Sequence, residues 1–157
     1  MPQQIDVELF TKTIRALLEE TFEKVDGIYL DGGTSLLETL ATLSATEASR
    51  PITEAGTSAA GQVYHARFYL RVLNDYMDGQ WHEKVNWIQS WQCKSVSESE
   101  WDQLRHQLKD DYQKLNAKFQ GIADWNDDRR LGGALAIIVH TAYHLGAIRQ
   151  ILRVIKA

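Results

Sequence analysis

With 157 residues, 44% of them hydrophobic and 24% charged, the chain has the makings of one folded domain (1–157) and lacks the composition of a disordered one. Its formal net charge of −4 leaves no broad basic surface to displace phosphate counterions, so nucleic-acid binding is not expected. Cys93 stands alone, which excludes intrachain disulfides and cysteine-cluster zinc sites.

The stretch Met1 to Glu8 has no basic region leading into an apolar one and does not read as a secretion signal. No apolar run reaches the ~18 residues of a membrane span, so a cytoplasmic protein with no membrane partner is expected. Prolines occur only at Pro2 and Pro51, and alternating apolar/polar stretches are scarce, which points to an all-α fold.

The first helix is marked by Val7, Phe10, Ile14, Leu17, Leu18, Phe22 and Val25 at three- and four-residue steps, and Asp26-Gly27 begins its exit. The connection 31–54 is too long for a turn. Within it, Ser35 with Glu38 and Ser44 with Glu47 have capping-box spacing, in which each side chain satisfies a backbone N–H of the helix start. Two short helices are therefore expected at about 35–43 and 45–50, ended by Pro51.

A second long helix is expected over 57–78, capped by Thr57 or Ser58 and followed by Gly79. Its inward stripe runs Gly61, His65, Phe68, Val72 and Tyr76, widened by Tyr69 and Leu73. The connection 79–96 concentrates Trp81, Trp87 and Trp91, bulk that is expected to fold over one end of the bundle. Ser97 and Glu100 open a third helix running to Gln120, with Trp101, Leu104, Leu108, Tyr112, Leu115 and Phe119 as its seam. The fourth spans 128–156, with Ile137, His140, His144, Ile148, Ile151 and Ile155 inward. Leu131, Leu135, Ile138 and Leu145 broaden that face, which predicts the most buried of the four long helices. Long connections favour something other than a plain up-down-up-down bundle, because crossovers can join parallel neighbours.

Three of the five histidines fall on these apolar stripes. His140 and His144, four residues apart, project from one face about one turn apart, the spacing at which two imidazoles reach one ion at ~2.0–2.1 Å. His65 lies on another helix beside Tyr64, Phe68 and Tyr69. Each ring would be costly to bury unpaired. A shared divalent cation satisfies all three; the alternative is separate hydrogen bonds to backbone carbonyls or carboxylates. Thr141 follows His140, so the H-E-x-x-H motif and its general base are missing. The paired Glu-x-x-His motifs of a di-iron bundle are missing too.

The stretch Gly56-Thr57-Ser58-Ala59-Ala60-Gly61-Gln62-Val63-Tyr64-His65-Ala66-Arg67-Phe68 resembles the second helix of DinB-like proteins, where a histidine follows a short threonine/serine-led start. The stretch Ala136-Ile137-Ile138-Val139-His140-Thr141-Ala142-Tyr143-His144-Leu145-Gly146-Ala147-Ile148-Arg149-Gln150 resembles that family's fourth helix, whose hallmark is H-x-x-x-H-L-G-x-x-R. The order and separation of the two also fit, and the resemblance covers essentially the whole chain. It implies an up-down-down-up four-helix bundle with a metal at one end, held by His65, His140 and His144. The implied ion is nickel, zinc or manganese, and the implied assembly is a homodimer. The resemblance also implies thiol S-transfer or isomerisation with a low-molecular-weight thiol such as bacillithiol or mycothiol, and no DNA chemistry.

Three nitrogen ligands leave a position open to water or a small-molecule substrate, as in catalytic rather than structural zinc sites. Such a position can take a thiol as its nucleophilic thiolate or activate water for hydrolysis. Thiol S-transferase and hydrolase are the enzymatic readings. A non-catalytic metal-binding or structural bundle acting through association is the alternative. No aspartate or glutamate stands out as a general base. Tyr64, Tyr69 and Tyr143 can donate hydrogen bonds near the site but are expected in core packing, and Arg149 is expected to pair with a carboxylate in the bundle rather than to bind substrate. Cys93 is expected to be incidental. His82, His106 and the run Lys109-Asp110-Asp111 are expected to be solvated, and the group 124–130 to start a helix. Trp81, Trp87, Trp91 and Trp125 have two roles open to them, walling a pocket or closing the bundle ends, and closure is the expected one.

Overall fold

The computed structural model describes residues 5–80 and 84–157; Trp81 and His82 lie outside the described residues. Among the described residues the fold is all-helical, with no strand. The helices are α1 Val7–Phe22, α2 Leu36–Ala41, α3 Ala45–Ala48, α4 Ala59–Met77, α5 Glu98–Gln120 and α6 Asp128–Ile155, with a 3-10 turn at Gln89–Trp91.

The predicted helix starts are realised by their own side chains. Ser35 with Glu38, Ser44 with Glu47 and Ser97 with Glu100 all form reciprocal capping boxes, while Ser58 caps α4 and Asp127 caps α6. The first helix ends earlier than its apolar periodicity suggests, at Phe22. Beyond it the chain turns back, with Gly27 at φ +86°, a conformation glycine adopts without steric cost. The returning backbone is gathered by Glu20, 1% exposed, whose carboxylate accepts the N–H groups of Asp26, Ile28, Tyr29 and Leu30.

The four long helices enclose one core. α4 packs on α5 and α6, and α1 packs on the same two. Between α4 and α5, residue numbers rise together: Arg67 pairs with Asp111 at 2.7 Å, and Lys118 binds Asn74 and Asp78. Asp111 is thus an interhelical partner and not part of a solvated run. Between α4 and α6 the numbers run oppositely, with Gln62 beside His144 and Met77 beside Gly133. They also oppose between α1 and α5, where Arg15 binds Asn116 and Phe22 stacks on Tyr112 at 5.1 Å. Trp101 donates its indole N–H to the Leu43 carbonyl, which docks the α2–α3 segment on α5.

The fourth long helix departs from expectation in its surroundings. Leu135, Val139 and Tyr143 are 44%, 67% and 72% exposed, so α6 is buried on one side and open on the other. The reason is its perimeter place, where α1 and α4 cover only its inner side. Contrary to the sequence expectation, α6 also contains an 18-residue window long and apolar enough to cross a membrane; 44% of that window is buried here. The same profile is met by core helices of soluble proteins.

Candidate metal centre

His65 stands in the second turn of α4, and His140 and His144 stand mid-way along α6. Because these two helices pack side by side, one ring nitrogen from each histidine comes within 4.8 Å of the other two. The sequence-predicted trio is brought together. His140 and His144 face each other Nε2 to Nε2 at 3.1 Å. A tetrahedral ion at ~2.0–2.1 Å from its nitrogens sets them roughly 3.3 Å apart, so this pair is already close to ligand spacing.

Each ring is held from behind. The His65 Nδ1 lies 2.7 Å from Ser90 Oγ, and Ser90 donates its hydroxyl to the Trp87 carbonyl at 2.6 Å. The His144 Nδ1 lies 2.5 Å from Gln62 Oε1. Trp91 stacks on His65 with centroids 3.8 Å apart, and Tyr69 stacks on His140 at 3.6 Å. His140 Nδ1 is buried without a hydrogen-bond partner among the described residues.

Burial pushes all three imidazoles below their ordinary pKa, helped at His140 by His144 and His65 and at His144 by His65. His140 is lowered to about 3 and His144 to about 4. At neutral pH the rings are uncharged, which is the form that binds metal. Three neutral ring nitrogens converging from two helices make a donor set suited to a divalent cation.

Several neighbouring residues depart from the favoured expectation. Trp91 takes the pocket-wall alternative by stacking on His65, and Trp87 reaches Tyr69 and Phe68 at centroid distances of 5.7 and 5.9 Å. Trp125 does close a bundle end: it packs on Phe10 and Phe119 and donates to Thr11. Tyr143 is exposed with its ring near-perpendicular to that of His144, so it is no core residue, whereas Tyr64 packs partly buried against the core. Arg149 has no carboxylate in ion-pair range among the described residues, contrary to expectation. His106 is exposed, with its Nδ1 2.8 Å from the Asp102 carbonyl. Burial raises the Cys93 thiol pKa, which makes it a poor nucleophile.

Sequence reasoning missed Gln62 and Ser90. Gln62 carried a usable signal, since it precedes His65 by three residues and shares its helix face. Ser90 carried none, because it lies outside any periodic segment.

Gly61 lets the 84–96 segment reach α4. A Cβ there would lie 2.9 Å from the Cys93 carbonyl and 2.8 Å from Thr57 Cγ2. Ser58 also donates to the Lys94 carbonyl at 3.1 Å, so this segment, which carries Ser90 and Trp91, is clasped to the helix bearing His65. Gly61→Val is expected to lift the clasp and cost about 1–3 kcal/mol of stability. Thermal unfolding followed by tryptophan fluorescence measures it; an unchanged midpoint would show that the close approach is dispensable.

Comparison with family profiles, with characterised proteins and with solved structures yields no match to this chain.

Proposed function

We propose that the protein is a divalent-metal-dependent enzyme of DinB-like type, with His65, His140 and His144 as the ligands of nickel, zinc or manganese. The observation that carries this is the convergence of three neutral ring nitrogens from α4 and α6 within 4.8 Å. The up-down-down-up order implied by the resemblance is supported by the interhelical contacts, parallel in number between α4 and α5 and opposed in the other two pairs.

His65, His140 and His144 would hold the ion and leave it an open position, where it would supply Lewis-acid chemistry that favours a bound thiol as thiolate or a bound water as hydroxide. The chain's own contribution is to hold the rings and limit water. Trp91 and Tyr69 cover two ring faces. Access for a small-molecule substrate is favoured on the side of His140, which is only partly buried, near half-exposed Trp87. Thiol S-transfer is the preferred activity, and hydrolysis is the second. A reducing cytoplasmic setting suits such chemistry. The test is a cobalt-substituted protein. A small thiol is expected to shift its visible spectrum, and a spectrum indifferent to thiol would remove the S-transferase reading.

Association as a homodimer is supported by the open side of α6. Leu135, Val139 and Tyr143 form an exposed seam, and a Cβ on Gly132 or Gly146 would meet nothing within 4 Å. Exposed Asp128 and Arg153 mark its two ends. Two copies of α6 crossing antiparallel about a two-fold axis near residues 140 and 141 set Asp128 against Arg153 and Leu135 against Gly146. Val139→Arg is expected to reduce the mass in solution from about twice 17.9 kDa to that of one chain, as read by light scattering. An unaltered dimer would place the interface elsewhere.

A further inference from the structure

We propose that Ser90 and Gln62 are positioning residues that hold His65 and His144 as their Nδ1–H tautomers, so that each ring turns a bare Nε2 lone pair into the centre. Proton counting carries the argument. A serine hydroxyl has one hydrogen, and that of Ser90 is spent on the Trp87 carbonyl at 2.6 Å. Toward His65 Nδ1, 2.7 Å away, Ser90 can therefore only accept, so the hydrogen sits on His65 Nδ1. With the Gln62 amide turned so that Oε1 faces the ring at 2.5 Å, it has no hydrogen to give and His144 Nδ1 donates. Each neutral ring carries one N–H, and Nε2 is left unprotonated in both.

At the 3.1 Å contact between His140 and His144, the His144 Nε2 then offers only a lone pair. Without a cation, His140 must place its single hydrogen on Nε2, which strips Nδ1 of its proton and leaves it buried and unpartnered. A cation in the centre takes the place of that hydrogen and lets His140 carry its proton on Nδ1. Two of the three rings are thus fixed in the metal-accepting tautomer by the protein, and His140 is the one that switches. Both acceptors are uncharged, so they orient the rings without adding negative charge to them. Ser90 is fully buried and lies in the segment clasped to α4, so His65 is oriented by a residue that belongs to neither site helix.

In its second readout this inference rests on the metal reading above; in its first it does not. The first is two-bond proton–nitrogen correlation NMR on metal-free protein with labelled histidines. His65 and His144 are expected as Nδ1–H tautomers and His140 as Nε2–H. Ser90→Ala is expected to release only His65, and Gln62→Leu only His144, while Gln62→Glu, which retains the acceptor, keeps His144 as it was. The second readout is zinc affinity by chelator competition, expected to fall about 10–100-fold in Ser90→Ala and in Gln62→Leu but not in Gln62→Glu. Finding Nε2–H on His65 or His144 in the unaltered protein would overturn the proposal. So would unchanged tautomers in both variants. The expected tautomers without zinc uptake by the unaltered protein would uphold it and sink the metal reading alone.

Discussion

Alanine in place of His144 is expected to lower the metal retained by untagged protein from about one equivalent per chain to below about a tenth. The loss is steep because a three-ligand site has no spare donor. It is steeper still because His144 is the most connected of the three, touching His140 through Nε2 and Gln62 through Nδ1. Removing it leaves Gln62 Oε1 without its donor and His140 Nε2 without its neighbour. His65→Ala and His140→Ala are expected to behave alike, whereas His106→Ala, altering an exposed ring on α5, is expected to retain full occupancy. Elemental analysis after dialysis against nickel or zinc, with circular dichroism to confirm folding, decides the matter. Equal metal content in His144→Ala and unaltered protein would remove this residue from the site, and a protein that takes up no metal at all would remove the site.

Glu20→Ala is expected to lower the melting temperature by on the order of 10 °C. Burial by itself would raise the Glu20 pKa. The backbone N–H groups of Tyr29, Ile28, Leu30 and Asp26 outweigh it and hold the carboxyl at about 2, well below its ordinary 4.5. Loss of the carboxylate abandons four donors at once and frees the returning 26–30 segment. The pH dependence follows from the sign of the shift. A lowered carboxyl pKa means that the stabilisation is complete above about 4.5 and drains away as pH falls toward about 2. The gap in melting temperature between unaltered protein and Glu20→Ala should therefore close across that acid window. The metal-free histidines act in the same direction higher up. Their lowered pKa values favour the folded state above about 6.5 and withdraw that support as pH falls toward about 4 and 3. A gap unaffected by acid would mean that Glu20 does not act through its ionised form.

Helix starts were legible in the sequence because a cap is a local object. Ser35, Ser44 and Ser97 each find their glutamate three residues on, and no distant part of the chain is needed to close that bond. The seam of α5 was legible for a similar reason: Trp101, Leu104, Leu108, Tyr112, Leu115 and Phe119 recur with the helical period, and all six are buried. The three histidines could be singled out because a polar ring on an apolar stripe conflicts with its surroundings, and the conflict is visible residue by residue.

Matters of contact between segments were not legible. Periodicity names an apolar face but does not say how much of it a neighbour covers, so Leu135 and Tyr143 looked like core and proved exposed. Tryptophan content in the 79–96 connection predicted a cover, yet only the packing decided that Trp91 lies on His65. Glu20 sat among apolar neighbours with no sequence sign of the four N–H groups that come back to it from beyond the helix end. By itself, then, the order of residues determined the helical class, most helix limits and the identity of the three rings. Which nitrogens meet, what holds them from behind and which side of α6 stays open were decided by tertiary structure, because hydrogen-bond partners and buried faces are set by distances between residues far apart along the chain.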